Sequence, residues 1–276
     1  MRNREFLQEY KKKLRSCRYA ANTVNTYLHC VKPFLREFES RELEEISERE
    51  VTQFINRYRS EKQISESYES HMLTAIKKLF HLVFNKEMEL RKISKSNLKR
   101  NLPLHIDNRE IKRMIDSSPN LKHQCIIGLL YSAGLRVEEV INLKNSAVDF
   151  TDQQIHMRNP KTKKERSLPL SPYLIPYLKS YRRSYSNERP VFEGYKNDVL
   201  CPRTVQQIVG STARLADIEQ DVSPTMLRNS FAIHHLQAGT RPEVVRKLLG
   251  LGSEQSIHKY ILVANQEGER MKSPLD

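Results

Sequence analysis

Glycine and cysteine are scarce in this chain: 276 residues hold 8 glycines, 12 prolines and 4 cysteines. So little glycine and proline excludes a collagen-like or low-complexity protein. Cys17, Cys30, Cys125 and Cys201 are far apart, form no CxxC pair and have no histidine at metal-ligand spacing. That excludes a disulfide framework and a structural zinc site, and predicts reduced thiols; no metal and no cofactor are expected. Long apolar runs are also missing, and none approaches the roughly 20 residues of a membrane span. The first residues, MRNREFLQEYKKKLR, contain no apolar segment of the secretory kind. Aromatic residues are only 8% and fall mostly on helical stripes, which argues against a basic RNA-binding protein built on stacking platforms.

What the chain has in excess is positive charge. Lys and Arg number 47 against 33 Asp and Glu, a formal net charge of +14, and the pI is about 9.6. A polyanionic partner follows, because each cation that neutralises a phosphate releases a counterion. A membrane surface fits less well, since the basic residues are spread along the chain rather than gathered on one amphipathic helix. A solvated, merely basic surface is the plainer reading, and charge alone does not separate it from nucleic-acid binding.

The pattern along the chain is helical at both ends. Val24, Tyr27, Leu28, Val31, Phe34 and Leu35 mark a helix over about 20–38, capped by Asn22 or Thr23 and bent or split at Pro33. Ser47 and Glu50 form a capping-box pattern ahead of a helix at 47–60, and a third helix is expected over about 65–84. The basic, polar stretch RKISKSNLKRNLPLHIDN then reads as a linker. The domains are therefore set at 1–90 (helical), 91–105 (linker) and 106–276. The second domain opens with Asp107 or Asn108 capping a helix at 109–116. Alternating runs Gln154–Met157 and Arg166–Leu170 flank the polar turn Arg158–Lys164, which predicts a hairpin with a basic tip. Helices are expected again at 172–184, 203–216, 224–238, 241–250 and 253–262, with Ser223-Pro224 opening one, Gly239 closing it, and Thr240 and Pro242 starting the next. The expected class is mainly α with one small β-sheet.

Three segments stand out together: YSAGLRVEEVINL (131–143), NPKTKKERSLPL (159–170) and SPTMLRNSFAIHHLQAGTRPEVVRKLLGLGSEQSIHKYI (223–261). In this order and spacing they resemble the catalytic domain of tyrosine recombinases, the phage-integrase family with its Xer-type members. The helical first domain resembles their core-binding, SAM-like domain, so the likeness covers nearly the whole chain. It implies site-specific DNA recombination by strand cleavage and rejoining, with double-stranded DNA and further copies of the chain, as a tetramer on DNA, as partners. It also implies a two-domain clamp around the duplex, and a cytoplasmic, nucleoid-associated protein.

The resemblance assigns residues as follows. Arg136 matches the first family arginine, whose fork can hold two phosphate oxygens, and Glu139 matches an acidic position expected to orient it. The plainer reading of Arg136 is a helix-end ion pair with Glu139. Lys161 matches the lysine of the hairpin turn, expected to act as general acid. Its neighbours Lys163, Lys164 and Arg166 are expected to contact DNA, although any of the four can be a solvated charge. Arg228 matches the second arginine. Tyr260, nine positions after Leu251, matches the nucleophile; the plainer reading is a packed tyrosine on the last helix, one of 12 tyrosines.

Two positions depart from the family. Thr225, three before Arg228, stands where histidine or lysine is usual, and Leu251 stands where histidine or tryptophan is usual; Asn229 also replaces a frequent histidine. Thr225 can donate one hydrogen bond, and Leu251 none. Losing a donor aimed at transition-state charge costs about 10²–10³ in rate. His234, His235 and His258 are placed too far away, or on the wrong helical face, to substitute. The alternative is therefore a catalytically impaired DNA-binding accessory or regulatory protein on the same scaffold.

Overall fold

The charged N-terminal stretch holds an amphipathic helix that composition disguises: Phe6, Leu7, Tyr10 and Leu14 recur on one face of α1 (Arg2–Ser16). In the computed structural model the described residues are 2–90, 102–158, 165–181, 190–194 and 200–268. Two compact units divide the chain, Met1–Lys99 and Arg100–Asp276. In the first, α1 packs on α2 (Ala21–Glu37) and α4 (Glu66–Phe84), and α3 (Glu48–Lys62) lies against α4. Phe34 sits at the centre of this core, its ring 5.7 Å from Phe54 and 5.9 Å from Phe80. Burying each such side chain contributes about 1.5–3 kcal/mol. Tyr10 is fully buried and donates its hydroxyl to the Ala75 carbonyl at 2.8 Å, so its polar end is satisfied.

Local expectations are met where a side chain does the capping. Ser47 and Glu50 close the capping box of α3. At α2 the sequence reading fails at the cap. The helix begins at Ala21 with Ala20 in the cap position and no side-chain cap, so Asn22 and Thr23 lie inside the first turn. Tyr19 packed on Tyr27, with ring centroids 5.8 Å apart, fixes the entry instead. The helix also runs unbroken through Pro33. A proline inside a helix costs about 3 kcal/mol or more through the lost hydrogen bond and the ring clash, and burial of Val31, Phe34 and Leu35 around it acts in the opposite sense.

The second unit is organised on α6 (Leu121–Ser132), which composition patterning does not reveal because Cys125–Leu130 are buried in succession. Packed against it are α5 (Asn108–Ser117), α7 (Val137–Ile141), α8 (Ile175–Tyr181), α9 (Pro202–Leu215) and α10 (Pro224–Gln237). Asp107 caps α5, and Ser223 caps α10 with Pro224 in the first helical position. Strands β1 (Val148–Asp149), β2 (Gln154–Arg158) and β3 (Glu165–Pro169) form one antiparallel sheet in that order. Ile155 faces Leu168 across the hairpin, and both turn into the core. Glu165 pairs with Arg158 in register at the outer end of the hairpin.

Two helices finish the unit, α11 (Pro242–Leu249) and α12 (Gln255–Gly268). Thr240 does not open α11; Arg241 holds its cap position, while Thr240 bonds back to His235 through its amide at 2.9 Å and its hydroxyl at 3.3 Å. Leu104 and Ile106 are tied to α10: Asn229 donates to the Leu104 carbonyl at 2.9 Å, and Ser230 Oγ accepts from the Ile106 amide at 3.0 Å. Asn229 thus does structural work. Among the described residues no helix is long and apolar enough to cross a membrane.

Candidate active site

The site is built on the C-terminal end of α11. The last carbonyls of a helix have no partner within it and carry its negative pole. Here arginines from three other elements take them. Arg166 Nε, on β3, donates to the Leu248 carbonyl at 3.0 Å. Arg228 Nη2, on α10, donates to the Leu249 carbonyl at 2.5 Å. Arg136 Nη2, just ahead of α7, reaches the Leu249 carbonyl at 3.3 Å and the Gly250 carbonyl at 3.1 Å. Gly250 itself has φ +60°, and a Cβ there would stand 3.0 Å from Arg166 Nη1. Only glycine gives both the left-handed turn and the room.

Glu139 binds the same three arginines together. Its Oε2 accepts the backbone amide of Arg136 at 2.8 Å, and its Oε1 accepts Arg136 Nη1 at 3.2 Å and Arg166 Nη2 at 2.7 Å. Arg228 Nη1 lies 3.8 Å from Oε2, an ion pair without a hydrogen bond. Arg228 Nη1 also donates to the Gly134 carbonyl, in the turn that precedes Arg136. Burial pushes the Glu139 carboxyl up, but the Arg136 amide and the neighbouring Arg166 and Arg136 guanidiniums hold it below the ordinary carboxylate range. Three guanidiniums round one carboxylate leave a surplus of positive charge, suited to a bound phosphate.

The three arginines differ in access. The Arg228 side chain is 10% exposed and Arg166 13%, while Arg136 is 39% exposed. Burial and the adjacent Arg136 pull Arg228 down to about 10; Glu139 and Tyr260 act in the opposite sense, and Arg166 again lowers it. Arg228 stays protonated at neutral pH. Tyr260 lies on α12. Its ring is buried among Phe231, Val245, Leu249 and Ile257, where α10, α11 and α12 meet. Lys259 Nζ stands over that ring, 4.8 Å from its centroid.

Arg136, Glu139 and Arg228 are therefore drawn into one cluster from segments far apart in sequence, and Tyr260 belongs to the apolar cluster of Leu249, whose carbonyl both arginines share. Arg166 joins them: it turns inward to Glu139. Lys161, Lys163 and Lys164 lie outside the described residues. Thr225 is exposed on the first turn of α10, and Leu251 packs its side chain on the apolar cluster of α10 to α12. His234 Nδ1 is bonded to the Tyr131 hydroxyl at 3.0 Å, and His235 packs on Phe231 and has its pKa lowered by burial. His258 is exposed. Sequence reasoning missed Lys259, for which adjacency to Tyr260 was the available signal.

The chain belongs to the phage integrase family. The model of the phage integrase family matches residues 104–267, and that of the phage integrase N-terminal SAM-like domain matches residues 6–90. The chain is 30% identical over 265 residues to the tyrosine recombinase XerA of Thermococcus onnurineus (strain NA1), covering 94% of this chain and 91% of that protein. It is 28% identical over 263 residues to a tyrosine recombinase of Thermosipho africanus (strain TCF52B), covering 91% and 92%. Its fold is shared with a lambda integrase(75-356) dimer bound to a COC' core site, at TM-score 0.76, 16% identity and 98% coverage of both chains. It is shared also with a lambda integrase tetramer bound to a Holliday junction, at TM-score 0.77 and 16% identity, covering 98% of this chain and 80% of that one.

Proposed function

We propose that this chain recombines double-stranded DNA at specific sites, cutting and rejoining strands through Tyr260. The observation that carries the reading is the convergence of Arg136 and Arg228 on Glu139 and the α11 carbonyls, with Tyr260 in the apolar cluster that includes Leu249. A cationic pocket next to a phenol is what in-line attack on a phosphodiester requires. The Tyr260 hydroxyl gives up its proton to solvent and its oxygen forms a bond to phosphorus as the bond to the 5′ oxygen breaks. Arg136 and Arg228 bind the non-bridging oxygens, and Lys161 gives a proton to the leaving 5′ oxygen. The products are a 3′-phosphotyrosine and a free 5′-hydroxyl. A 5′-hydroxyl from a partner strand then attacks the phosphotyrosine and releases Tyr260. The phosphotyrosine keeps the phosphodiester free energy, so rejoining requires no nucleotide cofactor.

Residues 1–90 are assigned to gripping the duplex, with Lys163 and Lys164 as further phosphate contacts, and the protein works where its DNA lies, on the nucleoid. The tetramer on a Holliday junction described for lambda integrase supports a tetramer here. Binding is expected to weaken steeply with salt, log K falling by about 0.9 per phosphate neutralised for each tenfold rise in salt; a flat response in a fluorescence titration overturns the phosphate grip. Thr225 and Leu251 are assigned an effect on rate, with the phosphotyrosine chemistry retained. The test is covalent trapping on a pool of nicked duplexes with random cores. A denaturant-stable protein–DNA band that disappears in Tyr260→Phe supports the reading. Binding without a band from the wild type moves it to an accessory DNA-binding role.

A further inference from the structure

We propose that Arg166 is a positioning residue that locks the β2–β3 hairpin onto the two phosphate-binding arginines through Glu139. The inference rests on the recombinase reading and deepens it. A basic residue at the base of a basic hairpin is ordinarily a solvated charge or a phosphate contact, and both need an exposed head group. The Arg166 side chain is 13% exposed, and its guanidinium is committed in two directions. Nη2 donates to Glu139 Oε1 at 2.7 Å, and Nε donates to the Leu248 carbonyl at 3.0 Å. One planar group thus spans β3, the first turn of α7 and the end of α11. Gly250 leaves the space that the guanidinium fills.

The consequence is geometric coupling. Arg166 lies five positions after Lys161, on the strand that carries the hairpin back from its tip. Glu139 accepts from Arg136 through both amide and guanidinium, so whatever fixes Glu139 also fixes the first phosphate-binding arginine. The neighbouring carbonyls Leu248 and Leu249 are shared out between Arg166 on one side and Arg136 and Arg228 on the other. A returning strand β3 bolted to this frame is held at a set place relative to the arginines, and an unbolted one is not. Misplacement by about 1 Å costs near 10² in rate. Lysine at 166 can reach one of the two acceptors but cannot reproduce the fork.

The test compares wild type, Arg166→Gln, Arg166→Lys and Tyr260→Phe on nicked duplexes with random cores. DNA affinity and single-turnover formation of the covalent band are measured side by side, and hydrogen exchange of the β3 amides is followed in the free protein. The expected result is a fall in band formation of about 10–10² for Arg166→Gln at nearly unchanged affinity, faster β3 exchange, and partial recovery in Arg166→Lys. Unchanged band formation in Arg166→Gln overturns the inference while leaving the recombinase reading intact. A parallel loss of affinity and band formation also overturns it, since Arg166 is then a phosphate contact. β3 exchange that stays at the wild-type rate overturns the anchoring role whatever the catalytic outcome. Absence of a Tyr260-dependent band from the wild type overturns the recombinase reading and, with it, the catalytic role of Arg166.

Discussion

Arg228 donates to the carbonyl of Leu249 at 2.5 Å. Arg136 donates to the same oxygen at 3.3 Å. The end of α11 therefore sets the separation of the two guanidiniums. Replacing either by lysine keeps the charge and loses the fork. Arg136→Lys and Arg228→Lys are each expected to lower single-turnover covalent-complex formation by about 10²–10³. The double variant should fall by less than the product of the two, because residues that act as a unit are not additive. Multiplicative losses in rapid-quench assays would show that the arginines act independently.

Gly134 places its carbonyl on Arg228 and has φ +56°. A Cβ there would stand 2.6 Å from Phe231 Cδ1, a buried ring with little freedom to move. Left-handed backbone costs about 1–2 kcal/mol for alanine, and overpacking adds about 1–3 kcal/mol. Gly134→Ala is expected to destabilise the protein by about 2–5 kcal/mol, read from the urea midpoint at constant m-value. A loss below about 0.5 kcal/mol would mean that the turn relaxes without strain.

Thr225 and Leu251 put no imidazole near the arginines, although both positions flank the site. Histidine at either adds a donor that gains strength as charge develops on the phosphate. Thr225→His and Leu251→His are each expected to speed covalent-complex formation, by up to about 10²-fold. The second also removes an apolar contact from the α10 to α12 cluster, so a modest fall in melting temperature should accompany it. Rates unchanged in both variants would show that other groups already do this work.

The carboxyl of Glu139 is held below its ordinary range in the folded protein. A group with a depressed folded pKa stabilises the fold at pH values above its unfolded pKa, and that contribution is lost as pH falls through the folded value. The loss should begin below the ordinary glutamate value of 4.5. Glu139→Gln is expected to be less stable than wild type at pH 7, since it leaves three guanidiniums without their carboxylate. Its deficit should shrink toward pH 3. A deficit that is constant across this window, measured by urea titration, would assign the role of Glu139 to shape rather than charge.

Much was legible where one residue settles its own surroundings. Ser47 with Glu50, Asp107 and the Ser223-Pro224 pair each mark a helix start through bonds to their own first turn, and each is found where expected. The hairpin was legible because Ile155 and Leu168 alternate with polar neighbours. The failures share a different cause. Ala20 opens α2, and Pro33 sits inside it, because packing in the first unit outweighs cap and proline penalties of a few kcal/mol. α6 escaped because a helix buried on every side shows no polar face.

By itself the sequence determined the class of fold, the excess of positive charge and the ordered set of residues that mark Arg136, Arg228 and Tyr260. Those are local or one-dimensional properties, carried by residue type and spacing. Only the tertiary structure decided that Arg166 turns inward to Glu139, that Asn229 holds the Leu104 carbonyl, and that the C-terminal carbonyls of α11, left without partners inside the helix, become the seat of the arginine cluster. Each of these depends on which helix end meets which side chain across a long span of chain, and hydrogen bonds of that kind leave no periodic trace in the sequence.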